Sequence, residues 1–155
     1  MVQYFNEIGL DVEALDKELQ TPLFYAVKKG SIQILQFLVE KIKVSINHQE
    51  FFNRTAFYLA AFEGNLEVVD YLYKMGANPE ISSKLDRTPL SKACFLGKVN
   101  VVQYLVKIGV ELTFRDSRGR TALHNSVWGR EGGRDGKRSG QNYLEDSPES
   151  AKILL

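Results

Sequence analysis

The sequence has a single cysteine, Cys94, in 155 residues, which excludes an internal disulfide. Two histidines, His48 and His124, and one thiol form no Cys/His cluster, and an H-E-x-x-H pattern is absent, so no metal site is expected. No apolar run approaches the roughly 18 residues of a membrane-crossing helix. The first 20 residues carry no basic stretch followed by an apolar one, so no secretion signal is read there. Charge of one sign is also lacking. Twenty Lys and Arg against nineteen Asp and Glu leave a net charge of +1, spread along the chain, which argues against a nucleic-acid or membrane partner. These absences lead to the expectation of a cytoplasmic protein, or one that also enters the nucleus.

Chemistry-bearing motifs are equally scarce. Neither histidine can be tied to a nucleophile by spacing. Gly136-Lys137 resembles a phosphate-binding loop only superficially: Glu131 stands where the earlier glycine belongs, and Arg138 where Ser or Thr would bind magnesium. Asn53-Arg54-Thr55 has the form of a glycosylation sequon, but Thr55 occupies a repeat position. Cys94 lies beside Ala93 at a small-residue position and reads as a buried apolar side chain, not a reactive thiol. The expectation is a protein that is not an enzyme and needs no cofactor.

What is present is internal repetition, on a chain that is 44% apolar. Thr88 to Val106, TPLSKACFLGKVNVVQYLV, shifted back 33 places falls on Thr55 to Tyr73, TAFYLAAFEGNLEVVDYLY. A further shift of 34 places gives Thr21 to Val39, TPLFYAVKKGSIQILQFLV. A shift of 33 forward reaches Thr121, at the start of TALHNSV. A period near 33 that opens on Thr-Pro-Leu-His-like residues resembles the ankyrin-repeat family, over nearly the whole chain. The resemblance implies an all-α solenoid of stacked helix–turn–helix units with β-hairpin-like finger loops between them.

Residues 1–155 then read as one domain. Full repeats span 21–54, 55–87 and 88–120, flanked by a partial repeat at 1–20 and another at 121–155. Val2 to Thr21 aligns on Val102 to Thr121, so the chain is expected to open inside a second helix, with Tyr4, Phe5 and Ile8 on its apolar side. Helices are expected near 22–29, 32–41, 56–63, 66–75, 89–96, 99–108, 122–128 and 148–155. Thr21 reads as an N-cap with Pro22 at N1, and Gly30, Gly76 and Gly109 as helix ends. Leu23, Ala26, Ala60 and Ala61 are expected in the core of the first helices. The apolar stripes of the second helices read as Ile32, Ile34, Leu35, Leu38 and Val39, then Leu66, Val68, Val69 and Leu72. In the third full repeat the core reads as Leu90, Ala93, Val99, Val101, Val102, Leu105 and Val110.

Three local departures are expected. One extra residue between Leu38 and Val44 should alter the helix end near Ile42. Gly119, Asn53 and Asp86 suit the left-handed residue of a finger turn, whereas Leu19 does not, so the first finger should deviate. The stretch 129–146, rich in Gly and Arg, interrupts the last repeat, after which Ser147 and Pro148 read as a new helix start. Arg130, Arg134, Lys137 and Arg138 make RNA binding through this insertion a rival reading, and Ser139 follows a basic pair. Glu131, Asp135, Glu145 and Asp146 oppose the RNA reading by neutralising that charge.

The resemblance also implies where a partner binds: a concave side made of finger tips and the exposed ends of first helices. Carried onto this sequence, it offers an aromatic column, Phe62, Phe95 and Trp128, and a basic column, Arg54, Arg87 and Arg120. The fingers add Phe51, Phe52, Leu85 and Arg118. Trp and Arg dominate interface energetics, so the expected partner is a protein or peptide laid along this groove. In this family a His such as His124 bonds within and between repeats. The alternative is that the chain is the repeat portion of a larger enzyme or channel whose active domain lies elsewhere, a reading favoured by the partial repeats at both ends.

Overall fold

The computed structural model describes residues 13–131 and 149–155, the side chains of 129–131 excepted. Tyr4, Phe5, Ile8, Ser147, Pro148 and most of the Gly/Arg-rich insertion therefore lie outside the described residues. The helices are α1 (Pro22–Lys29), α2 (Ile32–Gln36, continued by a π-helical stretch Phe37–Ile42), α3 (Ala56–Glu63) and α4 (Leu66–Lys74), then α5 (Pro89–Phe95), α6 (Val99–Lys107), α7 (Ala122–Glu131) and α8 (Glu149–Leu154). No strand is formed among the described residues. In one layer α1, α3, α5 and α7 pack side by side; in the other, α4 packs on α6 and α6 on α8.

The inner layer explains why α3 is apolar all round. With α1 on one flank and α5 on the other, every residue from Ala56 to Ala61 is buried. Ala60 and Ala61 are fully covered, and their small side chains let the neighbouring helices close in. Phe24, Val27, Phe57 and Cys94 join the core from the same layer. Burial pushes the Cys94 thiol up to about 12, which keeps it protonated and inert.

Three expected core residues, Ile34, Leu66 and Val99, are outside it. Ile34 is 48% exposed, although Val68 and Val101 at the matching places are fully buried. Leu66 is 37% exposed, and at the same first helical position Ile32 and Val99 are also only half-buried. The apolar stripe begins two residues later, at Val68.

The extra residue of the first full repeat is absorbed within its second helix. The i→i+5 spacing of Phe37–Ile42 takes up one residue without unwinding the helix. Lys43 then turns left-handed at φ +61°, and the Val44 N–H donates to the Leu38 carbonyl at 3.2 Å.

The inner helices all start after the repeated threonines, two of which cap through their side chains. Thr55 Oγ1 accepts from the Tyr58 N–H at 3.1 Å and Thr88 Oγ1 from the Ser91 N–H at 3.2 Å. Thr121 instead bonds the His124 ring, Oγ1 to Nδ1 at 2.8 Å, the within-repeat role expected of that histidine. Thr21 sits at the N-cap position of α1, but its side chain caps nothing; its buried Oγ1 has no partner.

Adjacent repeats are tied at two edges. Beyond the second helices, Glu13 Oε1 accepts from the Ser45 N–H, Asn47 Oδ1 from Asn78 and Glu80 Oε1 from Glu111, at 2.8–2.9 Å. On the opposite edge the fingers stack. Phe51 N–H donates to the Glu18 carbonyl, Lys84 to Phe52 and Ser117 to Leu85, at 2.9, 2.9 and 3.2 Å. Each finger turns on a left-handed residue: Leu19 (φ +62°), Asn53 (+60°), Asp86 (+53°) and Gly119 (+73°). The first finger thus follows the others despite its leucine. It is held there because the Asp16 carboxylate accepts from the Glu18 and Gln20 N–H groups, and because Leu19 O bonds His48 Nε2 at 2.8 Å.

Candidate functional site

The candidate surface consists of the finger turns and the exposed ends of α1, α3, α5 and α7, and the geometry of each finger is set by the residue three before its left-handed turn. These residues are Asp16, Glu50, Ser83 and Asp116. In every finger that residue's N–H donates to the carbonyl four residues on, and its carbonyl accepts from the left-handed residue. Where it is acidic, its side chain also accepts two backbone N–H groups. Glu50 takes those of Phe52 and Arg54; Asp116 takes those of Arg118 and Arg120.

This arrangement divides the basic column. Arg54 binds Glu50 through Nε and Nη2 at 3.0 and 3.2 Å, and Arg120 binds Asp116 through the same two atoms at 3.0 and 2.9 Å. Burial raises the Asp116 carboxyl, but the Arg120 bonds and the two N–H groups outweigh it and bring the pKa to about 2. Burial opposes the fall at Glu50 too, yet its pKa ends below the usual carboxylate value. These two arginines therefore hold fingers. Arg87 is different, because its finger carries Ser83 in place of the acid. Its Nε is buried with no hydrogen-bond partner, and the nearest carboxylate oxygen, Asp116 Oδ2, is 3.9 Å away and already engaged by Arg120.

The aromatic column is half-buried at Phe62 and Phe95 and open at Trp128, which is 58% exposed. Phe62 also leans on the core. Between the two phenylalanines stands Lys92, its Nζ 5.1 Å from the Phe62 ring centroid and 5.0 Å from that of Phe95. Burial lowers its pKa, and the charges of Arg87 and Arg54 lower it further. Sequence reasoning passed over Lys92. Its signal was available: Lys92 and Phe95 are three apart on one helix, hence on one face.

At the finger tips Phe51, Phe52 and Leu85 are all about half exposed, and Arg118 is exposed. Phe51 and Phe52 meet edge to face at 5.1 Å. Lys84 Nζ lies 3.9 Å from the Phe51 centroid, and the Arg54 guanidinium 5.0 Å from that of Phe52. The structure thus brings together Phe62, Lys92 and Phe95 as one group and Lys84, Phe51, Phe52 and Arg54 as another. No ring–ring or cation–π contact joins Trp128 to either among the described residues. Those residues also contain no group of three acidic, His or Cys side chains placed to hold a metal ion. No helix among them is long and apolar enough to cross a membrane.

Comparison with known proteins adds two findings. A family model described as ankyrin repeats (3 copies) matches residues 1–83 and 76–134. The chain is also similar to Alpha-latrotoxin-Lg1a from Latrodectus geometricus, 30% identical over 92 residues. That match covers 58% of this chain and 7% of the length of the relative.

Proposed function

The chain belongs to the ankyrin-repeat family, whose members are generally protein–protein interaction modules and typically non-catalytic, and from that premise we propose that its concave side presents an aromatic and basic groove to a protein or peptide. The groove comprises Phe62, Phe95 and Trp128 on the inner helices and Phe51, Phe52, Leu85 and Arg118 on the fingers, with the arginine column between. The observation that carries the reading is the open apolar surface. Phe51, Leu85 and Trp128 are 51%, 55% and 58% exposed, and exposed apolar groups gathered on one surface mark interaction sites. Inner helices spaced at roughly 8–10 Å give a groove of about 20–30 Å, the span of an extended peptide or a short helix. We further propose that residues 1–155 act as one domain, with full repeats at 21–54, 55–87 and 88–120.

The test is peptide selection on the intact chain followed by hydrogen-exchange mapping of the complex. Protection is expected at the finger turns and at 62–63 and 95–96. Protection confined to the outer helices, around Tyr73 and Tyr104, would refute the groove. A second reading, that the chain is the repeat portion of a larger protein, is favoured by the match to so small a share of a far longer relative.

A further inference from the structure

Arg54 and Arg87 lie within electrostatic reach of Lys92 on the concave side, and two of these three cations have no carboxylate of their own. Arg54 is neutralised by Glu50. Arg87 has Ser83 where the other fingers have Asp16, Glu50 and Asp116, so its guanidinium lacks the acid that its repeat position normally faces. The one oxygen near it, on Asp116, is 3.9 Å away and bound by Arg120 at 2.9 Å. Lys92 makes no ion pair among the described residues; it rests between two aromatic rings with Arg87 and Arg54 as charged neighbours. Holding like charges together in a partly buried corner is unfavourable unless an anion joins them. The Arg87 side chain keeps 23% of its surface open, so the corner is reachable from outside.

We propose that the Arg87–Lys92 corner, with Arg54 beside it, is a seat for a carboxylate, taking an Asp or Glu side chain of a bound protein segment whose neighbouring apolar groups lie on Phe62 and Phe95. This rests on the groove reading above. Arginine supplies a planar, forked donor set that fits a carboxylate, and the lysine adds a point charge. The flanking rings exclude water, which strengthens the attraction. The missing finger acid is what leaves the seat open: the side chain that would fill it from within is replaced by a serine, whose hydroxyl stands at the buried Tyr58 phenol.

The experiment uses 12-residue peptides selected from a random library on the intact chain. Selected peptides should share one Asp or Glu at a fixed distance from an apolar residue. Changing that acid to its amide should weaken binding about tenfold, as should Arg87→Gln or Lys92→Gln, and combining the amide with Arg87→Gln should add little. The decisive variant is Ser83→Asp. It restores the finger acid, so it should raise Tm while costing the same tenfold in affinity; a folding defect could not produce that pair of results. If selected peptides lack an acid, or bind Arg87→Gln as well as the parent, while Phe95→Ala still weakens them, the seat is refuted and the groove stands. If no peptide is enriched, both readings fall. Single-stranded poly(U) that displaces the peptides and itself depends on Arg87 would also overturn the carboxylate assignment.

Discussion

Arg87 Nε stands 3.9 Å from the same Asp116 oxygen that Arg120 grips through Nε and Nη2. The two arginines occupy equivalent places in consecutive repeats, yet one completes a finger and the other leans on its neighbour's acid. A repeated residue type therefore has two roles, decided by what stands four residues earlier.

Stability should divide along that line. Asp116→Ala removes the acceptor of two backbone N–H groups and of a mostly buried guanidinium. It should cost about 2–4 kcal/mol by chemical denaturation, the range for a lost charged hydrogen-bond network. Arg87→Gln breaks no hydrogen bond at Nε and should cost less than about 1 kcal/mol. Equal losses would contradict the division.

Acid sensitivity follows from the same carboxylate. Its folded pKa, about 2, lies below the ordinary 3.8. A depressed carboxyl stabilises the fold fully above the unfolded value and ceases to do so as pH falls through the folded one. Stability should therefore decline between about pH 4 and pH 2, and Asp116→Asn should flatten that part of the curve. An unchanged acid limb in the variant would show that other groups control it.

The two threonines at the starts of α1 and α3 should respond oppositely to the same change. Thr55→Val deletes a cap and should cost about 1 kcal/mol. Thr21→Val deletes a buried hydroxyl that has no partner, and should be neutral or stabilising. A loss at Thr21 equal to that at Thr55 would mean that its hydroxyl is satisfied in solution.

Leu19 holds a left-handed backbone at a cost of about 1–2 kcal/mol, part of which glycine would return as unfolded-state entropy. Leu19 is 43% exposed, so little burial is lost with its side chain. Leu19→Gly should raise stability by about 0.5–1 kcal/mol in thermal unfolding. A fall of that size would assign the leucine side chain a packing role at the finger.

Much of the fold was legible because the repeats carry local punctuation. Thr-Pro at 21–22 and 88–89 and glycines at 30, 76 and 109 mark helix limits, and the observed helices lie within a few residues of the ranges read from them. The single extra residue before Val44 likewise announced an altered helix end near Ile42, though not its π-helical form. Exposure was less legible: Ile34 matches Val68 and Val101 in the repeat, yet it is 48% exposed where they are buried. The concave side showed its residue types but not its pairings. Glu50 and Asp116 follow the same period as the arginines they bind. Comparing that column with Ser83 needed the finger geometry to show that these side chains meet.

Whether the concave side is a binding surface is tested most directly by the affinity of a selected peptide for the Phe95→Ala chain. Phe95 is half-buried, faces Lys92 and belongs to the proposed groove. Affinity should fall by about 1–3 kcal/mol, the effect of an aromatic anchor. Tm should move by no more than about 4 °C, and Met75→Ala, exposed beyond α4, should bind as the parent does. Unchanged affinity together with a large fall in Tm would contradict that role, making Phe95 a packing residue and the concave side ordinary surface.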